Sequence, residues 1–116
     1  MRIMGIDPGI AIVGYGVVEQ KGNQLKALDY GCIQTPAHTP TATRLKQVYD
    51  ASCELMRRYR PEVVAIEKLF FNRNVTTAFT VGQARGVVML AAEEAGAVIT
   101  EYTPMEVKMA VVGYGG

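Results

Sequence analysis

Two carboxylates sit where their residue type and position could do chemistry. Asp7 follows the short apolar run Ile3-Met4-Gly5-Ile6, and Glu67 follows Val63-Val64-Ala65-Ile66. A carboxylate at the end of a buried strand is costly unless it is paired or coordinates a metal. If the two strands are neighbours, both acids emerge at the same sheet edge, close together. Like charges at that range raise each other's pKa unless a divalent cation neutralises them. Ligands that are all oxygen select hard ions, Mg²⁺ with Mn²⁺ as a substitute. Such sites drive in-line displacement at phosphorus, activating water and steadying the leaving oxygen. The plainer alternative is that Asp7 merely opens the Asp7-Pro8-Gly9 turn and Glu67 is a solvated strand end.

The elements that would position these acids follow from periodicity and turn residues. Residues 1–7 are β-compatible up to the turn at Asp7-Pro8-Gly9, and a second strand is expected from Ile10 to Glu19. Lys21-Gly22-Asn23 punctuates the chain before a third strand, Leu25 to Thr35, which completes an antiparallel meander. From Thr41 the period changes: Leu45, Val48, Tyr49, Ser52, Leu55, Met56 and Tyr59 follow the spacing of an amphipathic helix. Arg57, Arg58 and Arg60 close that helix, as its dipole favours, and Pro61 stops it. Glu62 to Glu67 is a strand of the kind buried in a parallel sheet. A polar loop at Asn72 to Asn74 leads to a long helix, about Val75 to Ala95, and Ala97 to Tyr102 is a fifth strand. Thr103-Pro104 then reads as the N-cap and first position of a last helix. A meander feeding βαβ crossovers gives an α/β mixed sheet flanked by helices, the element order of the ribonuclease-H-like fold.

At this point a set of motifs resembles the RuvC family of Holliday-junction resolvases. They are Gly5-Ile6-Asp7-Pro8-Gly9 with Gly14-Tyr15-Gly16, Ala65-Ile66-Glu67, Phe70-Phe71-Asn72-Arg73-Asn74, Gly82-Gln83-Ala84-Arg85-Gly86, Val107-Lys108 and Val111-Val112-Gly113. They run in family order and at family spacing from residue 3 to residue 113. The resemblance implies a homodimeric, Mg²⁺-dependent endonuclease that cuts two opposed strands of four-way junction DNA and works with the RuvA-RuvB branch-migration complex. Asp7 and Glu67 match two of the family's catalytic, metal-binding acids. The family takes two more from a helix beyond the point where this sequence stops, so residues 1–116 are expected to be one nuclease domain lacking its C-terminal helices. The tail Val-Val-Gly-Tyr-Gly-Gly, a glycine-rich loop with nothing after it, points the same way.

Around the acids, the resemblance places Phe70 at the junction centre and Lys108 close to the scissile phosphate. An exposed ring can stack on an unpaired base, while Arg73 and Arg85 are candidate phosphate contacts. Gly82 and Gly86 permit the close approach of another helix, from this chain or from a dimer mate. Composition bounds what remains. The 116 residues are 49% apolar and 20% charged with a net charge of +1, so a nucleic-acid partner has to be argued from where the charges sit. Two cysteines, Cys32 and Cys53, form no disulfide framework or zinc spacing. No apolar run approaches the roughly 18 residues of a membrane span, and the N-terminus has no secretory layout, so a cytoplasmic location without a membrane partner is expected. Two other function classes stay open: a ribonuclease-H-like remnant that binds or dimerises without cutting, and an actin-like nucleotide-binding half-domain, whose phosphate loop Gly5-Ile6-Asp7-Pro8-Gly9 also resembles.

Overall fold

The computed structural model describes residues 1–68 and 75–102. Within them the order is β1 (Arg2–Asp7), β2 (Ile12–Lys21), β3 (Gln24–Gln34), α1 (Thr41–Tyr59), β4 (Val63–Glu67), α2 (Val75–Glu94) and β5 (Val98–Tyr102). The helix expected after Thr103 lies outside the described residues. The strands form one sheet in the order β3-β2-β1-β4-β5. β1, β2 and β3 pair antiparallel, and β1, β4 and β5 pair parallel. This is the mixed sheet of the ribonuclease-H-like fold.

Local chemistry explains the joints. The β2–β3 hairpin turns through Gly22-Asn23, with Gly22 at φ +60° as a two-residue loop with glycine first requires. β2 starts at Ile12, two residues later than expected, because the preceding carbonyls are already taken. The Ile10 carbonyl accepts from the Thr35 hydroxyl at 2.5 Å, and the Ala11 carbonyl accepts from the Thr35 amide at 3.1 Å. α1 ends where Arg60 turns left-handed at φ 47° and donates its amide to the Met56 carbonyl ahead of Pro61.

Both crossovers, β3-α1-β4 and β4-α2-β5, step in the same direction along the sheet. Parallel crossovers are right-handed, so α1 and α2 lie on the same face and pack on each other. The core sits between them and the sheet. Met4, Ile6, Val64 and Ile66 of the two central strands are buried against Val48 of α1 and Val88 of α2. Burying a side chain of this size contributes about 1.5–3 kcal/mol. Because side chains alternate along a strand, this registration forces Gly5 and Asp7 of β1, and Ala65 and Glu67 of β4, onto the opposite face. No described helix covers that face.

Candidate active site at the carboxyl ends of the central strands

β1 and β4 are in parallel register, with Ile6 opposite Ile66. The next residue on each strand is an acid, so Asp7 and Glu67 stand side by side at strand spacing, about 4.8 Å between backbones. On the far side of Asp7 the register partner is Gly14, and on the far side of Glu67 it is Tyr102. Gly14, Asp7, Glu67 and Tyr102 therefore form one row across four strands. A side chain at Gly14 would begin 3.8 Å from the Asp7 β-carbon, so the glycine leaves one flank of the acid open.

The two carboxyls are within hydrogen-bonding reach of one another. Burial, then the hydrogen bond with Asp7 and its charge, pushes the Glu67 carboxyl up to about 7 from an ordinary 4.5. The pair thus prefers either a shared proton or an added positive charge. The donor set fits a divalent ion: two oxygen ligands on a face that no described helix covers, where water can complete the shell. Among the described residues no cluster of three or more His, Cys, Asp or Glu forms, so this pair is all that they supply.

The other expected site residues fall differently. Phe70, Arg73 and Lys108 lie outside the described residues. Arg85, expected as a phosphate contact, is placed on the helix-covered side of the sheet, away from the face that carries the acids. Its guanidinium pairs with Glu101 of β5 at 2.8 Å, and its side chain is only 17% exposed. Glu101 precedes Tyr102 and so faces the helices, and Arg85 holds its carboxyl below the usual range. Among the described residues nothing lies within 4 Å of a side chain begun at Gly82 or Gly86, so α1 is not the helix that approaches them. With Phe79 and Leu90, 68% and 54% exposed, they make a stripe at helical spacing that no other described element covers, opposite the buried Ala84, Val88, Ala91 and Ala92. The residue that sequence analysis passed over is Tyr102. A tyrosine ending a strand looks like an ordinary β-former, and only counting the equal lengths of β4 and β5 would have set it beside Glu67.

The family model described as crossover junction endodeoxyribonuclease RuvC matches residues 3–116, nearly the whole chain. The chain belongs to the RuvC family. The RuvC protein of Brevibacillus brevis is 64% identical over all 116 residues, which span 70% of its length. That of Heliobacterium modesticaldum is 59% identical, with 99% of this chain and 71% of the relative covered. Among solved structures, Thermus thermophilus RuvC in complex with a Holliday junction substrate superposes with a TM-score of 0.88 at 38% identity, covering 97% of this chain and 72% of that one. RuvC proteins are crossover junction endodeoxyribonucleases, so the acid pair stands in a nuclease fold. No described helix is long and apolar enough to cross a membrane.

Proposed function

We propose that this chain carries the catalytic centre of a Mg²⁺-dependent endonuclease that resolves four-way DNA junctions by paired strand cleavage in recombination and repair. The observation that supports this most is the juxtaposition of Asp7 and Glu67 on an open sheet face in a chain of the RuvC family. Asp7 and Glu67 would hold the ion, Mg²⁺ or in its place Mn²⁺. When bound there, a divalent ion supplies the positive charge that activates water and offsets charge on the leaving oxygen. The chain's own part is to orient two carboxylates and keep one side open for a phosphate. Phe70 would stack at the junction centre, Arg73 would contact phosphate, and Lys108 would sit near the phosphate being cut. Arg85, engaged by Glu101, would hold α2 against β5.

Cutting two opposed strands calls for two sites related by symmetry, and the bare α2 stripe of Phe79, Gly82, Gly86 and Leu90 is a surface for a second copy. Glycines four apart let two helix backbones approach closely. A cytoplasmic protein acting with RuvA-RuvB follows by family likeness. The relatives are longer, and two further acids would come from the part of them that this sequence does not span. Residues 1–116 would then be one nuclease domain, with little cleavage activity of its own.

The test is cleavage of a four-way junction with Mg²⁺. A chimera joining these 116 residues to the remaining 30% of the Brevibacillus protein is expected to cut, and Asp7→Asn or Glu67→Gln in it to abolish cutting while leaving junction binding largely intact. Losing an acid removes metal affinity but no DNA contact. Undiminished cutting by either variant would remove Asp7 and Glu67 from the mechanism. Junction binding without cutting by the chimera would favour the non-catalytic alternative.

A further inference from the structure

The row across the sheet ends in a side chain that the nuclease reading leaves without a task. Tyr102 is the last residue of β5 and the register partner of Glu67. Its amino-acid neighbour across the strand end is also fixed: the Lys68 amide donates to the Tyr102 carbonyl at 2.6 Å, which pins the backbone from which the ring projects. The ring does not turn out to solvent at the sheet edge. Its hydroxyl lies over β1, where a methyl group at Gly5 would sit 3.4 Å away. To reach Gly5 from β5, the ring must pass across β4, where the residue in register with Gly5 is Ala65. Two small residues in adjacent strands thus leave a lane along which the phenol crosses to β1, on the face that carries the acids.

We propose that Tyr102 is a positioning residue of this site, its hydroxyl above Gly5 holding Asp7 and Glu67 in the geometry that binds a divalent ion. The proposal rests on the metal role given to the acid pair above. A neutral phenol suits the place, because it offers an O–H donor to a region of accumulated negative charge without adding charge of its own. The ring also closes the Glu67 side of the row, while Gly14 leaves the Asp7 side open. Solvent and substrate phosphate would then approach from one side only. The glycine of Gly5-Ile6-Asp7 acquires a reason of its own: a methyl group just fits beneath the hydroxyl, and a branched side chain would displace it.

Mn²⁺ titration of the 116-residue chain, followed by paramagnetic broadening of its NMR signals, separates the possibilities. The wild type is expected to lose signals selectively around Asp7 and Glu67, and Asp7→Asn to abolish the effect. Tyr102→Phe keeps the ring and removes the hydroxyl. It is expected to weaken Mn²⁺ binding about three- to tenfold, on the scale of the net contribution of one ordinary hydrogen bond, with an unchanged thermal midpoint in EDTA. Gly5→Val, which suits a strand but pushes the hydroxyl aside, is expected to weaken it similarly and decides the matter if Tyr102→Phe folds poorly. In the cleaving chimera the same two variants should need more Mn²⁺ for half-maximal rate, with junction affinity unaltered. Mn²⁺ binding by Tyr102→Phe equal to that of the wild type would overturn the role of Tyr102 and leave the acid pair standing. No Mn²⁺ response in the wild type would overturn both.

Discussion

Replacing Glu67 by Gln is expected to make the metal-free chain more stable at high pH. The Glu67 carboxyl holds its proton up to about 7 when folded, against an ordinary 4.5. Between those values the folded chain binds more protons than the unfolded one, so the stability linked to this group is full below about 4.5 and is lost as pH rises through about 7. The rise corresponds to roughly 3 kcal/mol at about 1.4 kcal/mol per pH unit. Because the side chain is only half-buried, water and salt reduce this to about 1–2 kcal/mol. Glutamine never ionises, keeps a donor for Asp7, and escapes the loss. In EDTA at about pH 8.5, Glu67→Gln should unfold about 3–8 °C higher than wild type, and at about pH 5 the difference should mostly vanish. Millimolar Mn²⁺ should reverse the order, because only the wild type gains the binding energy. Scanning calorimetry at the two pH values, with and without the ion, measures all four midpoints. A glutamine variant less stable than wild type at high pH, or an equal gap at both, would refute the crowding of two carboxyls.

Gly9→Ala should destabilise the chain by about 1–3 kcal/mol and lower metal affinity, since the new methyl group would collide with the Ile12 carbonyl oxygen and shift the turn after Asp7; urea unfolding with Mn²⁺ titration checks both. Placing lysines at Phe79 and Leu90 together should leave the circular dichroism unchanged and shift the sedimentation coefficient of the cleaving chimera towards a monomer; an unaltered dimer would move the interface elsewhere. In salt titrations of junction binding by that chimera, Lys108→Ala should lower the slope by about one. Phe70→Ala should weaken binding by about 1–3 kcal/mol without changing the slope, and equal effects at every salt concentration would contradict that division.

α1 was legible because its period is unambiguous: it buries Val48, Ser52, Leu55 and Met56 at the spacing its sequence shows. That Asp7 and Glu67 end two strands was legible because each follows a short apolar run bounded by turn residues or acids. What the linear pattern could not supply was partnership across elements. Ile10 looks like the start of a strand until Thr35, far along the chain, claims its carbonyl. Arg85 looks like a free cation until β5 brings Glu101 to it. Tyr102 gains meaning only from the register of three strands.

That register has a kinetic consequence. Asp7 and Glu67 are sixty positions apart in the chain, and they meet through parallel pairing of β1 with β4, which requires α1 to have crossed the sheet first. Pairings of such long separation form late, after loop-closure entropy has been overcome. A slip of one residue between β1 and β4 would send one acid to the core face. The site therefore comes into being only with the completed sheet, and a chain still folding, or one trapped in a shifted register, holds no paired carboxylates with which to bind an ion beside DNA.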